Sequence, residues 1–324
     1  MGSTEKPWEG TLELEFATQA SASKLGEVSS LQDPRLLSTS CQTQVIHSHT
    51  TAPLKIQRPF YPEGRQVCHS VMLHTAGGMV GGDRLQQSLK THPNAHALVT
   101  TAAANKVYRS NGPSVYQSIS MHIDAGACLE WLPQELILFD GARYEQHLKV
   151  ELGEGAHWFG WDITRLGRTA RGETFNQGQW RSHLEIWREG YPLLIDPQHI
   201  EGGSEMMTSA HGLAHCPVIG TFVMIGQAVD CHVVEQARQS WTPILQSHAH
   251  GIFHRANPED NDNEDNNERK HPTPMTGVSQ LQSGMICRYR GRSTIQARRW
   301  FIAVWDCLRK TYLSRPSCLP RVWC

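Results

Sequence analysis

The stretch CLEWLPQELILFDGARYEQHLKVELGEGAHWFGWDITRL, residues 128–166, decides the fold class. It holds three β-favouring runs, 128–139, 144–152 and 157–166, with only short Gly- and Asp-containing breaks between them. Branched and aromatic residues suit a pleated, half-buried surface, and Gly and Asp supply turns. Working outward, similar runs occupy 55–60, 69–74, 96–101 and 114–123 on one side and 180–196 on the other. No helical pattern of 10–15 residues separates successive runs, as a βαβ sheet would require. The middle of the chain therefore reads as all-β. At the N-terminal side, Leu12, Leu14 and Phe16 alternate with Glu13 and Glu15, which predicts a half-buried strand over 11–17.

Helical periodicity comes late. Ala297, Trp300, Phe301, Val304, Trp305, Leu308 and Tyr312 recur at steps of three and four, with Arg298, Arg299, Arg309 and Lys310 mostly off that stripe. A weaker helix is expected over 233–246, interrupted or ended early by Pro243. Two polar segments, 18–40 and 257–274, offer little to bury and read as insertions in one domain spanning 1–324. The acidic run in the second is a solvated loop rather than a metal sponge.

Composition removes several function classes. Thirty Lys and Arg stand against 31 acidic residues, a net charge of −1, so no basic excess points to nucleic acid or to an anionic membrane. No apolar run has the length of a membrane span, and residues 1–16 lack a signal-peptide pattern, so a cytosolic location is expected. Nine scattered cysteines, an odd number without a C-x-x-C, read as reduced thiols rather than as a disulfide frame or zinc ribbon.

The densest motif is HTAGGMVGGD, residues 74–83. It lacks the Lys-Ser/Thr ending of a phosphate loop and the spacing of a dinucleotide loop, so a turn or bulge between strands accounts for its glycines. Asp83 at its end can cap backbone amides or coordinate a cation. His211, His215, Cys216, Cys231, His232, His248, His250 and His254 are of metal-binding type, but their spacing matches no known pattern. No nucleophile elbow, Ser-x-x-Lys or catalytic-cysteine context occurs, which favours a binding role. The rival from another class is a zinc or nickel hydrolase using the His- and Cys-rich region.

KIQRPFYPEG (55–64), LHTAGGMVGGD (73–83), NKVYRSNG (105–112), LEWLPQELILFDGA (129–142), GWDITRLGRTARGETF (160–175), RSHLEIWREGYPLLID (181–196) and the closing PRVW (320–323) occur in an order and spacing that resemble the UreD (UreH) family of urease accessory proteins. The resemblance covers nearly the whole chain apart from the two polar insertions. It implies layered, β-helix-like sheets with two or so helices toward the C-terminus. It also implies an accessory scaffold without catalytic turnover. Such a protein would act with UreF, and through it the GTPase UreG, to bring nickel to apo-urease. Self-dimerisation stays open.

By the same resemblance, nickel is a transient cargo carried through an internal water-filled tunnel, with no tightly bound cofactor. Asp83, Asp162 and Asp196 are the expected carboxylates of that path; Glu173, Arg109, Lys106 and Glu130 are second-rank candidates, which structural ion pairs holding the sheets would explain equally. Arg84 stands where the family often carries a second acid, so pairing of Arg84 with Asp83 is expected to weaken a site there. Each acid also has an ordinary reading: a turn cap for Asp83, a strand-edge charge for Asp162 and a turn residue before Pro197 for Asp196.

Overall fold

Side chains of successive strand residues point to opposite faces, and in Trp158–Leu166 this alternation separates two environments. Trp158, Gly160, Asp162 and Thr164 face one way, while Phe159, Trp161 and Ile163 pack among helix residues on the other. The computed structural model describes residues 7–19, 42–252 and 273–323. All but the edges of the insertions expected at 18–40 and 257–274 lies outside the described residues, as do His254 and the side chains of His248 and His250.

The strands in chain order are β1 (Glu9–Gln19), β2 (Gln42–Thr50), β3 (Leu54–Ile56), β4 (Val67–His74), β5 (Arg84–Thr91), β6 (His96–Thr101), β7 (Asn105–Val107), β8 (Val115–Ile123), β9 (Cys128–Trp131), β10 (Leu136–Leu138), β11 (Arg143–Leu152), β12 (His157–Leu166), β13 (Gln179–Arg188), β14 (Tyr191–Glu201), β15 (Val218–Ile225), β16 (Met275–Leu281) and β17 (Gly284–Gly291). The helices are α1 (Glu205–Thr208), α2 (Cys231–Gln239), α3 (Trp241–Ile252) and α4 (Thr294–Tyr312).

From β4 onward the chain crosses back and forth between two sheets. One is seven-stranded, ordered β14-β13-β11-β8-β5-β1-β2; the other is ten-stranded and runs β16-β17-β15-β12-β9-β6-β4-β3, with β10 beside that path on β12 and β7 on β10. Within the first, β5, β8, β11 and β13 pair in parallel, and within the second β4, β6, β9 and β12 do the same. The chain thus coils as a β-solenoid, each winding giving one strand to each sheet. Antiparallel additions finish both ends: β2 on β1 and β3 on β4 at one, β14 on β13 and β15 on β12 at the other. The layered β expectation holds.

The run at 180–196 divides at a tight turn, where Glu189 and Gly190 both take positive φ, of 50° and 79°. The weak helix expected over 233–246 is two helices broken at Ser240. Pro243 sits in the first turn of α3, where backbone N–H groups have no intrahelical acceptor and proline costs little.

One hydrophobic core lies between the sheets and a second between the ten-stranded sheet and the helices. The helix over the C-terminal stripe is capped by Ser293, whose side chain accepts from the Gln296 amide. Ala297, Trp300, Phe301, Val304, Trp305 and Leu308 are fully buried on the second core. Each such aromatic or Leu contributes roughly 1.5–3 kcal/mol, which fixes α4 to the sheet's outer face. Arg309 departs from its sequence reading as an off-stripe residue. It is fully buried, bonds Glu63 at 2.6 Å and lies 3.7 Å from Glu130, because a guanidinium can leave water only with carboxylates waiting for it.

Candidate functional site

Between the sheets the apolar core gives way to a line of polar side chains. Parity places them: Gln87 of β5, Gln117 of β8, Gln146 of β11, Ser182 of β13 and Gln198 of β14 point inward from one sheet, and Asp162, Thr164 and Thr221 from the other. They line two adjoining cavities, and a third opens beside the second. The first, of about 40 Å³, is bounded by Asp162, Asp196, Gln198 and Thr221. The second, of about 50 Å³, shares Trp131, Gln146, Leu148, Trp161 and Asp162 with the first and continues past Gln117 and Gln87 to His74. The third, of about 170 Å³, shares Met72, Leu73, His74, Thr101 and Asn105 with the second and ends among Gly77, Gly78 and Lys106. A single water needs roughly 10–15 Å³ of such space, so each cavity has room for water.

Asp162 stands at the junction of the first two. Gln146 Nε2 donates to its Oδ2 at 3.2 Å and Thr164 Oγ1 to its Oδ1 at 3.4 Å. Burial pushes its carboxyl above the usual range, with those two donors opposing. It is only half-buried by exposure although it sits deep between the sheets, so its open surface faces the cavities rather than bulk water. The Tyr144 hydroxyl donates to Gln117 Oε1 at 2.7 Å and lies 2.9 Å from Gln146 Oε1, extending the network inward.

At the far end of the first cavity Asp196 accepts from Gln198 Nε2 at 2.9 Å and from Arg288 Nη2 at 2.5 Å, and Arg288 Nη1 also donates to Thr221 at 2.6 Å. At the other end of the line, burial lowers the affinity of His74 for a proton while Asp83 opposes. His74 Nε2 and Gln87 Oε1 are buried without a hydrogen-bond partner, two polar atoms on the wall of one cavity. Orphans of this kind call for a water or a cation beside them.

The other sequence candidates sit elsewhere. Asp83 is fully buried, and its two oxygens accept from the backbone amides of Trp8 and Val80, each at 2.9 Å. It is the turn cap of the glycine motif, whose Gly82 has φ +98° and whose Gly81 has no room for a Cβ beside Ser110. Arg84 turns to the outer face, 5.9 Å over the Tyr116 ring. Glu173 bonds Arg168 and the amides of Asp140 and Arg168, and the Arg168 guanidinium holds its carboxyl down at about 2. Glu130 lies against Arg309, Trp305 and His96, and Arg109 pairs with Asp140 at 3.1 Å.

Asp162 and Asp196 thus share a cavity and Lys106 lines the third, while Asp83 and Glu173 lie outside all three. Sequence reasoning missed His74 and the inward glutamines. Among the described residues, His211, His215, Cys216, Cys231 and His232 belong to no cluster of three metal-ligating side chains, and the seven described cysteines are free thiols. No helix among the described residues is long and apolar enough to cross a membrane.

The chain is a two-sheet solenoid clad by helices on one face and enclosing a line of polar side chains. The sequence carries the assignment further. The model of the UreD urease accessory protein family matches residues 35–324, and the chain belongs to that family. It is 52% identical over 281 residues to the urease accessory protein UreD of Nostoc punctiforme, covering 87% of this chain and 90% of that one. It is 48% identical over 318 residues to UreD of another Nostoc species, covering 98% and 96% of the two chains. UreD of Methylobacillus flagellatus is 33% identical over 319 residues, 98% of this chain and 95% of its own.

Proposed function

We propose that the protein acts without catalytic turnover as a cytoplasmic scaffold for incorporating nickel into apo-urease, working with UreF and through it UreG, and that the polar line between the sheets conducts the ion. The observation that carries this reading is the meeting of Asp162 and Asp196 in one water-sized cavity that adjoins a second and, through it, a third. Carboxylate and amide oxygens attract a divalent cation and exchange it quickly, whereas a closed thiolate cage would hold it. An ion entering near Asp196 meets a carboxylate already shared with Arg288, so it is drawn in but not trapped. Asp162 comes next, and its raised proton affinity lets cation and proton compete for the same oxygens. Beyond it lie the glutamine oxygens and the neutral imidazole of His74, both suited to nickel.

The test is urease activity and nickel per urease in cells carrying a complete urease operon whose own UreD gene is replaced by this one. Restored activity that falls several-fold with Asp162→Asn, while UreF stays bound, supports conduction. Absence of nickel from urease when this protein is soluble, bound to UreF and docked on apo-urease would overturn the reading.

A further inference from the structure

We infer that His147, His183 and Glu185, on the outer face of the seven-stranded sheet, form a binding site for a divalent transition-metal ion, distinct from the interior line and independent of its proposed role. β11 and β13 pair in parallel with His147 directly opposite His183, so both imidazoles stand on one rung, their centroids 5.2 Å apart. Glu185 follows His183 by two residues and shares its face. Its Oε1 lies 3.2 Å from His147 Nε2 and 2.8 Å from His183 Nε2, and ligand atoms of all three lie within 4.8 Å of one another. A tetrahedral ion with bonds near 2.1 Å sets its ligand atoms about 3.4 Å apart, so the triad needs only small adjustments to close on one.

The surroundings favour an ion over a plain surface ion pair. Trp187 Nε1 donates to Glu185 Oε2 at 2.9 Å, which orients the carboxylate and leaves Oε1 to the histidines, as second-layer partners do around metals. His183 Nε2 is buried and makes no hydrogen bond despite the nearby oxygen. Lys149, on the same strand and face, is engaged by Glu151 at 2.8 Å. The comparable trio His96, Cys128 and Glu130 differs on this point, because there the buried Arg309 guanidinium already supplies the positive charge. The His147, His183 and Glu185 side chains keep 38%, 40% and 21% of their surface exposed, so an ion can enter and retain water in a remaining position. Two imidazoles and one carboxylate select zinc, nickel, cobalt or copper over magnesium and calcium, which prefer all-oxygen shells.

The test is calorimetric titration of the untagged, metal-stripped full chain, purified with UreF where solubility requires it, using Zn²⁺ and Co²⁺ against excess Mg²⁺. The expected result is one equivalent that Mg²⁺ does not displace, with visible Co²⁺ absorption. The variant with both His147→Ala and His183→Ala should lose that equivalent. Trp187→Phe should weaken it about tenfold, and Asp162→Asn should leave it intact, separating this site from the interior line. Equal stoichiometry and affinity in the double-histidine variant, or no binding by the wild type, overturns the inference.

Discussion

Arg309 and Glu130, neither with any exposed surface, face each other at 3.7 Å between α4 and the outer face of the ten-stranded sheet. Trp305 also donates to Glu130, so one carboxylate ties two helix residues to one strand. Removing a single partner of a buried pair leaves the other charge uncompensated, at about 3–5 kcal/mol. Arg309→Met should therefore lower stability in urea unfolding by that order. In a double-mutant cycle with Glu130→Gln, the combined change should fall clearly below the sum. Additive effects would mean that the pair is not coupled.

Asp162 gives a prediction with an unusual sign. Its proton affinity is raised in the folded state, so the charged form is the costly one. The group favours folding most below its unfolded pKa, and that contribution is lost as pH rises through the folded pKa. Asp162→Asn should raise the melting temperature at pH 7–8 relative to wild type, with the gain shrinking toward pH 4. A variant that is less stable at neutral pH would contradict the burial argument.

Glu173 behaves in the opposite way. Arg168 holds its carboxyl down at about 2 against an ordinary 4.5, so its contribution is present above 4.5 and is lost as pH falls toward 2. The side chain is partly exposed and the ion pair is screened, so the acceptor role toward the Asp140 and Arg168 amides matters more. Glu173→Ala, which removes that acceptor, should cost about 1 kcal/mol at pH 7 and less near pH 2, measured by urea unfolding at both values.

Gly81 and Asp83 test the glycine turn as a structural device. A Cβ at Gly81 would stand 2.7 Å from the Pro113 carbonyl oxygen, and Asp83 satisfies two backbone amides. Gly81→Ala should cost about 1–3 kcal/mol by overpacking, and Asp83→Ala about 1–3 kcal/mol by stranding buried donors. Both should reduce urease activation only in proportion to the folded protein remaining. If Asp83→Ala abolished activation while its melting curve stayed unchanged, Asp83 would belong to the cation path after all.

Much of this fold can be read in the chain because strand parity and helix periodicity are local signals. Leu12, Leu14 and Phe16 alternate as a strand must, and Trp300, Phe301 and Val304 fall on one stripe. Asp162 was legible as a candidate through the motif around it, and strand parity then turns it into the cavity. Contacts made by pairing at a distance were hidden. Nothing near Arg309 in sequence announces Glu63 or Glu130, so a basic residue off the stripe reads as solvent-facing. The rung that sets His147 opposite His183 follows from the register of two parallel strands 36 positions apart. His74, four residues before its motif's second glycine, gives its unpaired nitrogen to the cavity only once Gln87 and Gln117 arrive from the other sheet.

The two faces of β12 impose a rule on how this protein can change. Asp162 and Thr164 belong to the interior line, while Phe159, Trp161 and Ile163 hold the helices. Because the period is two, adding or deleting one residue would exchange every assignment downstream, turning indole and phenyl groups into the water line and a carboxylate under α4. Within this strand the sequence can be respelled letter by letter, but its length cannot shift by one.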